Sequence, residues 1–134
     1  MVDIPMDKLT NDENTEFYRM MDKTETTTEK LILNSNDLEY MRADMSFLVK
    51  SVESEVDSNK RRFFKRTIKK LSNRGKKQAM KVDRLAVKLC EESIPQNEFL
   101  VKLVNEKKIQ LDQSLLEHLE DTISSMKSIV EEHR

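Results

Sequence analysis

Apolar residues recur along this chain at steps that alternate between three and four, which is the spacing of one face of a helix. The clearest run lies between residues 38 and 52 and consists of Leu38, Met41, Met45, Leu48 and Val52. A run of this kind is typical of the seam along which one helix of a coiled coil packs against another. We therefore expect these five residues to form a partner interface, and we call them the seam.

A second run with the same spacing extends over residues 64–89. The stripe shifts around the helix over residues 56–63, as it does when a helix drifts past a strict 3.5-residue repeat. The two runs therefore predict one long central helix over about residues 37–92. Gly75 is a candidate C-cap that would break this helix. Because the register is the same on both sides of Gly75, a single helix is favoured.

Shorter helices are expected on both sides of the central one. Thr10 or Asn11 is suited to cap an N-terminal helix over about residues 11–33, which opens with acidic side chains. The polar stretch at 34–37 favours a break after this helix. Residues 1–10 lack any periodicity and are expected to be a flexible tail.

Pro95 gives the strongest local signal for a chain reversal. Proline disfavours helical conformation at the residue before it and is well suited to a first helical turn. We therefore predict a reversal at 93–96 and a last helix over about 96–132. Such a helix reaches back along the central helix only to about residue 56. The seam then lies beyond its reach, so either the N-terminal helix covers part of it or another copy or a partner protein does.

Together these elements predict an all-α fold: an elongated helical hairpin or coiled-coil bundle with a long central helix and a shorter N-terminal helix, in one helical domain over 11–134. The composition agrees, because one Gly and two Pro leave little with which to build tight turns. Charged residues make up 37% of the chain, a level typical of helices that bury one narrow stripe.

Basic residues are concentrated in the middle of the sequence. Residues 60–90 carry 13 basic side chains and 1 acidic one, whereas residues 1–59 carry 6 and 14, and residues 91–134 carry 5 and 10. No acidic residue occurs over 60–81, which we call the basic segment. Its candidate surface consists of Arg62, Lys65, Arg66, Lys69, Lys70, Arg74, Lys76 and Lys77.

Four interpretations compete for the basic segment. A reversal at Pro95 would bring Glu117, Glu120 and Asp121 opposite it, so that these carboxylates and the acidic N-terminal segment neutralise it within the fold. Nucleic-acid phosphates are a second class of partner. An acidic protein is a third. A membrane surface or a calmodulin-like groove is the fourth and least favoured.

The chain offers few groups that could carry chemistry. Its two histidines, His118 and His133, are too far apart for a zinc-binding spacing on one helix. Glu91 and Glu92 follow Cys90, and their charge is expected to raise the pKa of its thiol, which disfavours a nucleophile. We therefore expect no catalytic residue, no cofactor and no metal site.

These patterns favour a non-enzymatic helical adaptor or assembly subunit that forms a homo-oligomer or hetero-oligomer, with a basic helical face at residues 60–88 for an acidic partner. The alternative is a small nucleic-acid-binding protein that uses residues 60–88 to contact phosphates without reading sequence. Cys90 is the only cysteine, so no disulfide forms within one chain. With no apolar run of membrane-spanning length and no signal-like first residues, this predicts an intracellular protein, cytoplasmic or nuclear.

Overall fold

The structure is a computed structural model that describes residues 8–133. Three α-helices follow one another: α1 is Asn11–Ser54, α2 is Ser58–Asn105 and α3 is Gln113–Glu132. No strand occurs among these described residues. The predicted all-α fold class is therefore confirmed, although the helices begin and end at other residues than the sequence patterns predict.

The chain forms two compact units. Unit 1 comprises Met1–Thr28 and Ala86–Arg134, and unit 2 comprises Glu29–Leu85. Helices α1 and α2 contribute residues to both units, whereas α3 belongs to unit 1 alone. Unit 2 is thus a pair of helices, and unit 1 is built from three.

The first turn of the chain is at 55–57, and it corrects the predicted central helix over 37–92. The carboxylate of Asp57 accepts the backbone N–H groups of Asn59 at 2.8 Å and Lys60 at 3.2 Å. It thereby satisfies donors that have no partner at the start of α2. The shift of the apolar stripe at 56–63 therefore marks a turn and not a drifting helix.

The predicted break at 34–37 is also wrong, because α1 continues through these residues. The side-chain amide of Asn34 donates to the backbone carbonyl of Lys30 at 2.8 Å. The Gln78 amide in turn donates to the side-chain and backbone oxygens of Asn34 at 3.0 and 2.9 Å. With its hydrogen-bonding groups engaged in this way, Asn34 fits a helix interior instead of a cap.

Pro95 lies inside α2, so the predicted reversal at 93–96 is wrong. An interior proline removes one backbone hydrogen bond and costs about 3 kcal/mol. Contacts with α1 immediately beyond it offset part of this cost. The hydroxyl of Thr24, for example, donates to the side-chain oxygen of Gln96 at 3.0 Å.

Further contacts between α1 and α2 lie on both sides of Pro95. Thr27, which is 2% exposed, donates its hydroxyl to the buried carboxylate of Glu92, with oxygen separations of 2.8 and 2.9 Å. One helical turn or so beyond Pro95, Phe99 stacks on Phe17 with ring centroids 6.2 Å apart. These contacts hold both halves of the proline-containing stretch against one helix, which keeps α2 continuous.

The second turn is at 106–112, so α3 begins at Gln113 and not near residue 96 as predicted. Lys107 has a φ of 61°, the left-handed conformation that usually selects glycine at a helix end. Its N–H donates to the carbonyl of Val104 at 3.0 Å, and the N–H of Lys108 donates to that of Leu103 at 2.9 Å. This pair of bonds is a Schellman motif, which ends α2 without a glycine.

The core of unit 1 forms around this turn. Leu103 is fully buried and packs with Leu9 and Ile109, with Phe99 and Leu100 against the cluster. Leu9 was predicted to belong to a flexible tail, but its side chain is only 8% exposed. Of that predicted tail, residues 1–7 lie outside the described residues, and Thr10 caps α1.

A capping box starts α1, and of the two predicted caps, Thr10 and Asn11, it is Thr10 that forms it. The Thr10 hydroxyl accepts the N–H of Glu13 at 3.1 Å, and the Glu13 carboxylate accepts the N–H of Thr10 at 2.9 Å. The ammonium of Lys108 lies 2.5 Å from the same carboxylate. That hydrogen bond, with the one from Thr10, lowers the pKa of Glu13 from its ordinary 4.5 to about 2.

None of the helices within residues 8–133 combines the length and the apolar content that crossing a bilayer requires.

We expect Glu13→Gln to reduce stability in a pH-dependent way. Because folding lowers the pKa of Glu13, the stability it contributes is present above about pH 4.5 and is lost as the pH falls towards 2. Glutamine keeps an acceptor for the Thr10 N–H and removes only the charge. Urea unfolding should show wild type more stable at pH 7 and the two proteins equal near pH 2. A difference that stays constant with pH would contradict this role.

We expect Gly75→Ala to raise the free energy of unfolding by about 0.5–1 kcal/mol, because glycine in a helix interior costs roughly that much relative to alanine. Gly75 lies inside α2, as the continuous register predicts, and a Cβ added to it meets no atom within 4 Å. Thermal or urea unfolding measures the change. Ala43→Gly, at an exposed position inside α1, is the matched control and should lower stability by a similar amount. A destabilised Gly75→Ala would show that the site cannot take a methyl group.

Candidate interaction surface

The seam lies in unit 2, on the side of α1 that packs against α2. Leu38 is buried, whereas Met41, Met45, Leu48 and Val52 are half-buried. The prediction that only the N-terminal helix or another molecule covers the seam is wrong, because the turn at 55–57 brings α2 alongside it. The seam is nevertheless only partly covered, and an open groove borders it on each side of the helix pair.

The first groove, which we call groove A, has a volume of about 300 Å³. Its apolar lining comes from both helices, with Leu38, Met41 and Met45 on α1 and Leu71 and Ala79 on α2. Two exposed cations, Arg42 and Lys76, also line it. Groove A is therefore apolar along its length and cationic on both helices.

The second groove, groove B, has a volume of about 400 Å³. Phe47 and Leu48 of α1 and Leu71 of α2 supply its apolar lining. The charged side chains that line it are Asp44 on α1 and Lys70 and Arg74 on α2. Groove B therefore combines an apolar floor with two cations of the basic segment.

A row of exposed apolar side chains on α1 was missed by the sequence patterns. Leu33, Tyr40 and Phe47 are seven residues apart and 64%, 72% and 70% exposed, so they share one face of the helix. The seven-residue spacing was readable, but a helix break predicted at 34–37 separates Leu33 from the other two. We call these three residues the outer row.

All eight predicted residues of the basic surface are exposed along the first half of α2. Within residues 8–133, no basic side chain of the segment at 60–81 lies within 4.0 Å of a carboxylate as an ion pair. The predicted neutralisation by Glu117, Glu120 and Asp121 depended on a reversal at Pro95, which does not occur. The part of internal neutralisation that depended on these three carboxylates therefore loses its geometry. From the acidic N-terminal segment, Asp44 lines a groove together with Lys70 and Arg74, but it forms no ion pair with them.

The position of the basic segment adds to its electrostatic cost. Its first side chains, Lys60 and Arg61, lie in the first turn of α2, which contains no acidic residue. Cations near a helix N-terminus oppose the helix dipole, and only the capping carboxylate of Asp57 counters them there. An anionic ligand bound along this helix would relieve both the dipole interaction and the repulsion among the cations.

The candidate chemical groups, Cys90 and His118, belong to unit 1, whereas the grooves and the basic segment belong to unit 2. Cys90 is half-buried in unit 1, where burial raises the pKa of its thiol and the charge of Glu91 raises it further. The direction agrees with the sequence-based expectation, although burial is the larger cause. His118 is exposed on α3. No group of three His, Cys, Asp or Glu side chains in the described part of the chain is arranged to hold a metal ion.

Comparison with protein-family models, with curated proteins and with solved structures gave no match for this chain.

We expect reversal of Lys65, Arg66, Lys69 and Lys70 to Glu to leave the free energy of unfolding within about 1 kcal/mol of wild type or to raise it. No ion pair is lost, and the net charge of unit 2 changes from +7 to −1. Thermal unfolding followed by circular dichroism measures the effect at low salt. A clear loss of stability that high salt removes would show that these side chains neutralise acidic groups within the fold.

Proposed function

We propose that this chain is a non-enzymatic helical adaptor or assembly subunit. Unit 2 binds helices of other copies or of partner proteins through its two grooves, and the basic segment faces an acidic partner surface. The observation that carries this proposal is the incomplete burial of unit 2, all of whose residues are described. Leu38, at 9% exposure, is its only buried hydrophobic side chain.

The incomplete burial of unit 2 favours a further helix, over any other structure, as the ligand of grooves A and B. Grooves A and B run between two packed helices, and a third helix laid in either one would interlock its side chains with theirs. Methionine is suited to such a role, because its unbranched, polarisable side chain adapts to different partners. Met41 and Met45 both line groove A. Unit 2 therefore resembles two helices of a larger bundle whose other helices come from partner molecules.

The charges beside the grooves favour an acidic partner. Each groove is lined by two cations, Arg42 and Lys76 in groove A and Lys70 and Arg74 in groove B. A helix with an apolar stripe and carboxylates beside it would bury the stripe and pair the carboxylates at the groove edges. Electrostatic complementarity of this kind speeds association and selects partners.

The non-enzymatic part of the proposal is supported by the chemistry of the candidate groups. A thiol whose pKa is raised, as that of Cys90 is, forms less of the reactive thiolate at neutral pH. The same lone thiol supports a reducing, intracellular setting, either cytoplasmic or nuclear. The proposal therefore includes both the non-enzymatic role and the intracellular setting.

Nucleic-acid binding is the second candidate function, because eight exposed cations follow one another along α2 without an ion-pair partner. Phe63, which is 65% exposed, lies among them and offers a ring on which a base could stack. Binding of this kind would be independent of nucleotide sequence and would weaken steeply with salt.

Three probes separate these functions in a binding titration. The first is a synthetic amphipathic helix with leucines on one face and glutamates beside them, the second is the same helix with lysines, and the third is a DNA duplex. The adaptor function predicts binding of the glutamate helix and little binding of the lysine helix. Affinity for unrelated duplexes tighter than about 1 µM at physiological salt would favour nucleic acid instead.

We expect Met45→Asp and Val52→Asp to weaken association through the seam more than they reduce helix content. A carboxylate desolvated on assembly costs about 3 kcal/mol, roughly a hundredfold in affinity. Light scattering after size exclusion measures the mass, titration with the glutamate helix measures binding, and circular dichroism measures helix content. Ser46→Asp places the same charge on the exposed side of α1 and should behave like wild type. Unchanged mass and unchanged binding in both seam variants would refute the proposal.

A further inference from the structure

The two units of the chain carry opposite charge. Unit 1 contains 17 acidic and 9 basic residues, for a net −8, and unit 2 contains 8 acidic and 15 basic residues, for a net +7. The net charge of the whole chain, −1, conceals this division. Each unit therefore repels a like unit of a second copy and attracts the opposite one.

The acidic surface of unit 1 includes the exposed carboxylates of α3. Glu117, Glu120 and Asp121 are all exposed, and none forms an ion pair within the described residues. On the same helix Leu115 and Ile129 remain 41% and 39% exposed. At about 100° per residue, Asp121 lies about 80° around the helix from Ile129 and Glu117 about 120°, whereas Glu120 lies on the opposite side and lines a groove with Lys102 of α2. Helix α3 therefore has an exposed apolar edge with the carboxylates of Asp121 and Glu117 on one side of it, the chemistry that grooves A and B accept.

We infer that two copies of this chain bind each other reciprocally, with α3 of unit 1 in each copy docked on unit 2 of the other. This inference rests on the proposed function and names its occupant, a second copy. A second copy fits because the chain itself supplies a helix of the required charge and amphipathic character. A twofold pair forms the same contact twice, so both units of both copies are neutralised together.

The reciprocal contact also accounts for the exposed apolar residues beside groove B. Phe47 lines that groove and belongs to the outer row, and Leu71 lies in its floor. An apolar edge of α3 laid over these side chains removes them from water. Meanwhile the carboxylates of α3 come near Lys70 and Arg74. The contact thus joins apolar burial with charge pairing, which neither unit achieves in one copy.

A charge-swap experiment tests the inference with two full-length variants. Variant B carries Lys65→Glu, Arg66→Glu, Lys69→Glu and Lys70→Glu. Variant A carries Glu117→Lys, Glu120→Lys and Asp121→Lys. Variant A changes the net charge of α3 from −4 to +2, and variant B changes that of unit 2 from +7 to −1. In a homodimer of either variant, α3 and the unit 2 on which it docks carry like charge, so self-association should weaken by about a hundredfold. In an equimolar mixture α3 and unit 2 carry opposite charge at both contacts, so a heterodimer should form more tightly than either homodimer.

Sedimentation or light scattering measures the masses, with one variant labelled to detect mixed pairs. Circular dichroism of each variant confirms that it folds, and recovery of association on mixing would itself show that both are competent. Glu29→Lys with Glu39→Lys is the matched control, since it alters exposed carboxylates of unit 2 without touching unit 1. This control should associate at least as tightly as wild type.

Wild-type association should weaken as salt is raised, because the contact pairs exposed charges. A wild-type chain that stays monomeric at low salt, or a mixture of variants A and B that fails to associate, overturns the inference. Its failure is distinguishable from that of the proposed function. If the chain is monomeric but binds the glutamate helix in a way that Met45→Asp abolishes, the adaptor function stands and only the pairing of copies falls.

Discussion

A pair of packed helices can bury only the stripe that each turns towards the other, and this constraint separates the two units. In unit 1 the turn before α3 and the residue Leu9 before α1 add further apolar surface, so Leu103 is fully buried between Leu9 and Ile109. Unit 2 is formed by segments of only two helices, and its most buried hydrophobic side chain, Leu38, keeps 9% of its surface exposed. The two grooves, the half-buried methionines and the outer row all follow from this missing third layer.

The charges of unit 2 cost free energy in the isolated chain, as its incomplete packing does. The basic segment has no carboxylate within ion-pair distance among the described residues, and it begins at the helix end where cations are least favourable. Both effects cost free energy in the isolated chain, and an acidic partner would relieve them. Under the proposed function, binding of an acidic helix would bury the apolar grooves and neutralise the basic segment together.

The fold class could be predicted from composition and periodicity, because scarce Gly and Pro and a 3–4 repeat leave few alternatives to helices. The turns could not be placed as well. Pro95 is a strong local signal that contacts from residues far away in sequence, such as Thr27, overcome. Lys107 occupies a left-handed position where glycine is expected, so the second turn carries no recognisable mark. The capping group of Asp57 was readable, but the stripe shift beside it was interpreted as helix drift.

The candidate site, too, could be predicted only in part from the sequence. Seam and basic residues follow from spacing and charge along the chain, whereas the grooves depend on which helix lies beside which. That pairing is set by the turn at 55–57, and misplacing this turn moves every contact of unit 2.

The polar contacts between α1 and α2 bear on how these helices avoid sliding past each other. Their apolar stripes repeat every heptad or so, and a shift by two turns would again place apolar residues opposite apolar residues. Such a shift would also separate the buried Glu92 carboxylate from the Thr27 hydroxyl and the Gln78 amide from Asn34. The Glu92 carboxylate would then keep only its longer ion pair with Lys88 of the same helix, at 3.9 Å. Loss of a hydrogen bond to a buried charged group costs about 1.5–3 kcal/mol. These two contacts, one in each unit, therefore fix a single alignment of α1 along α2.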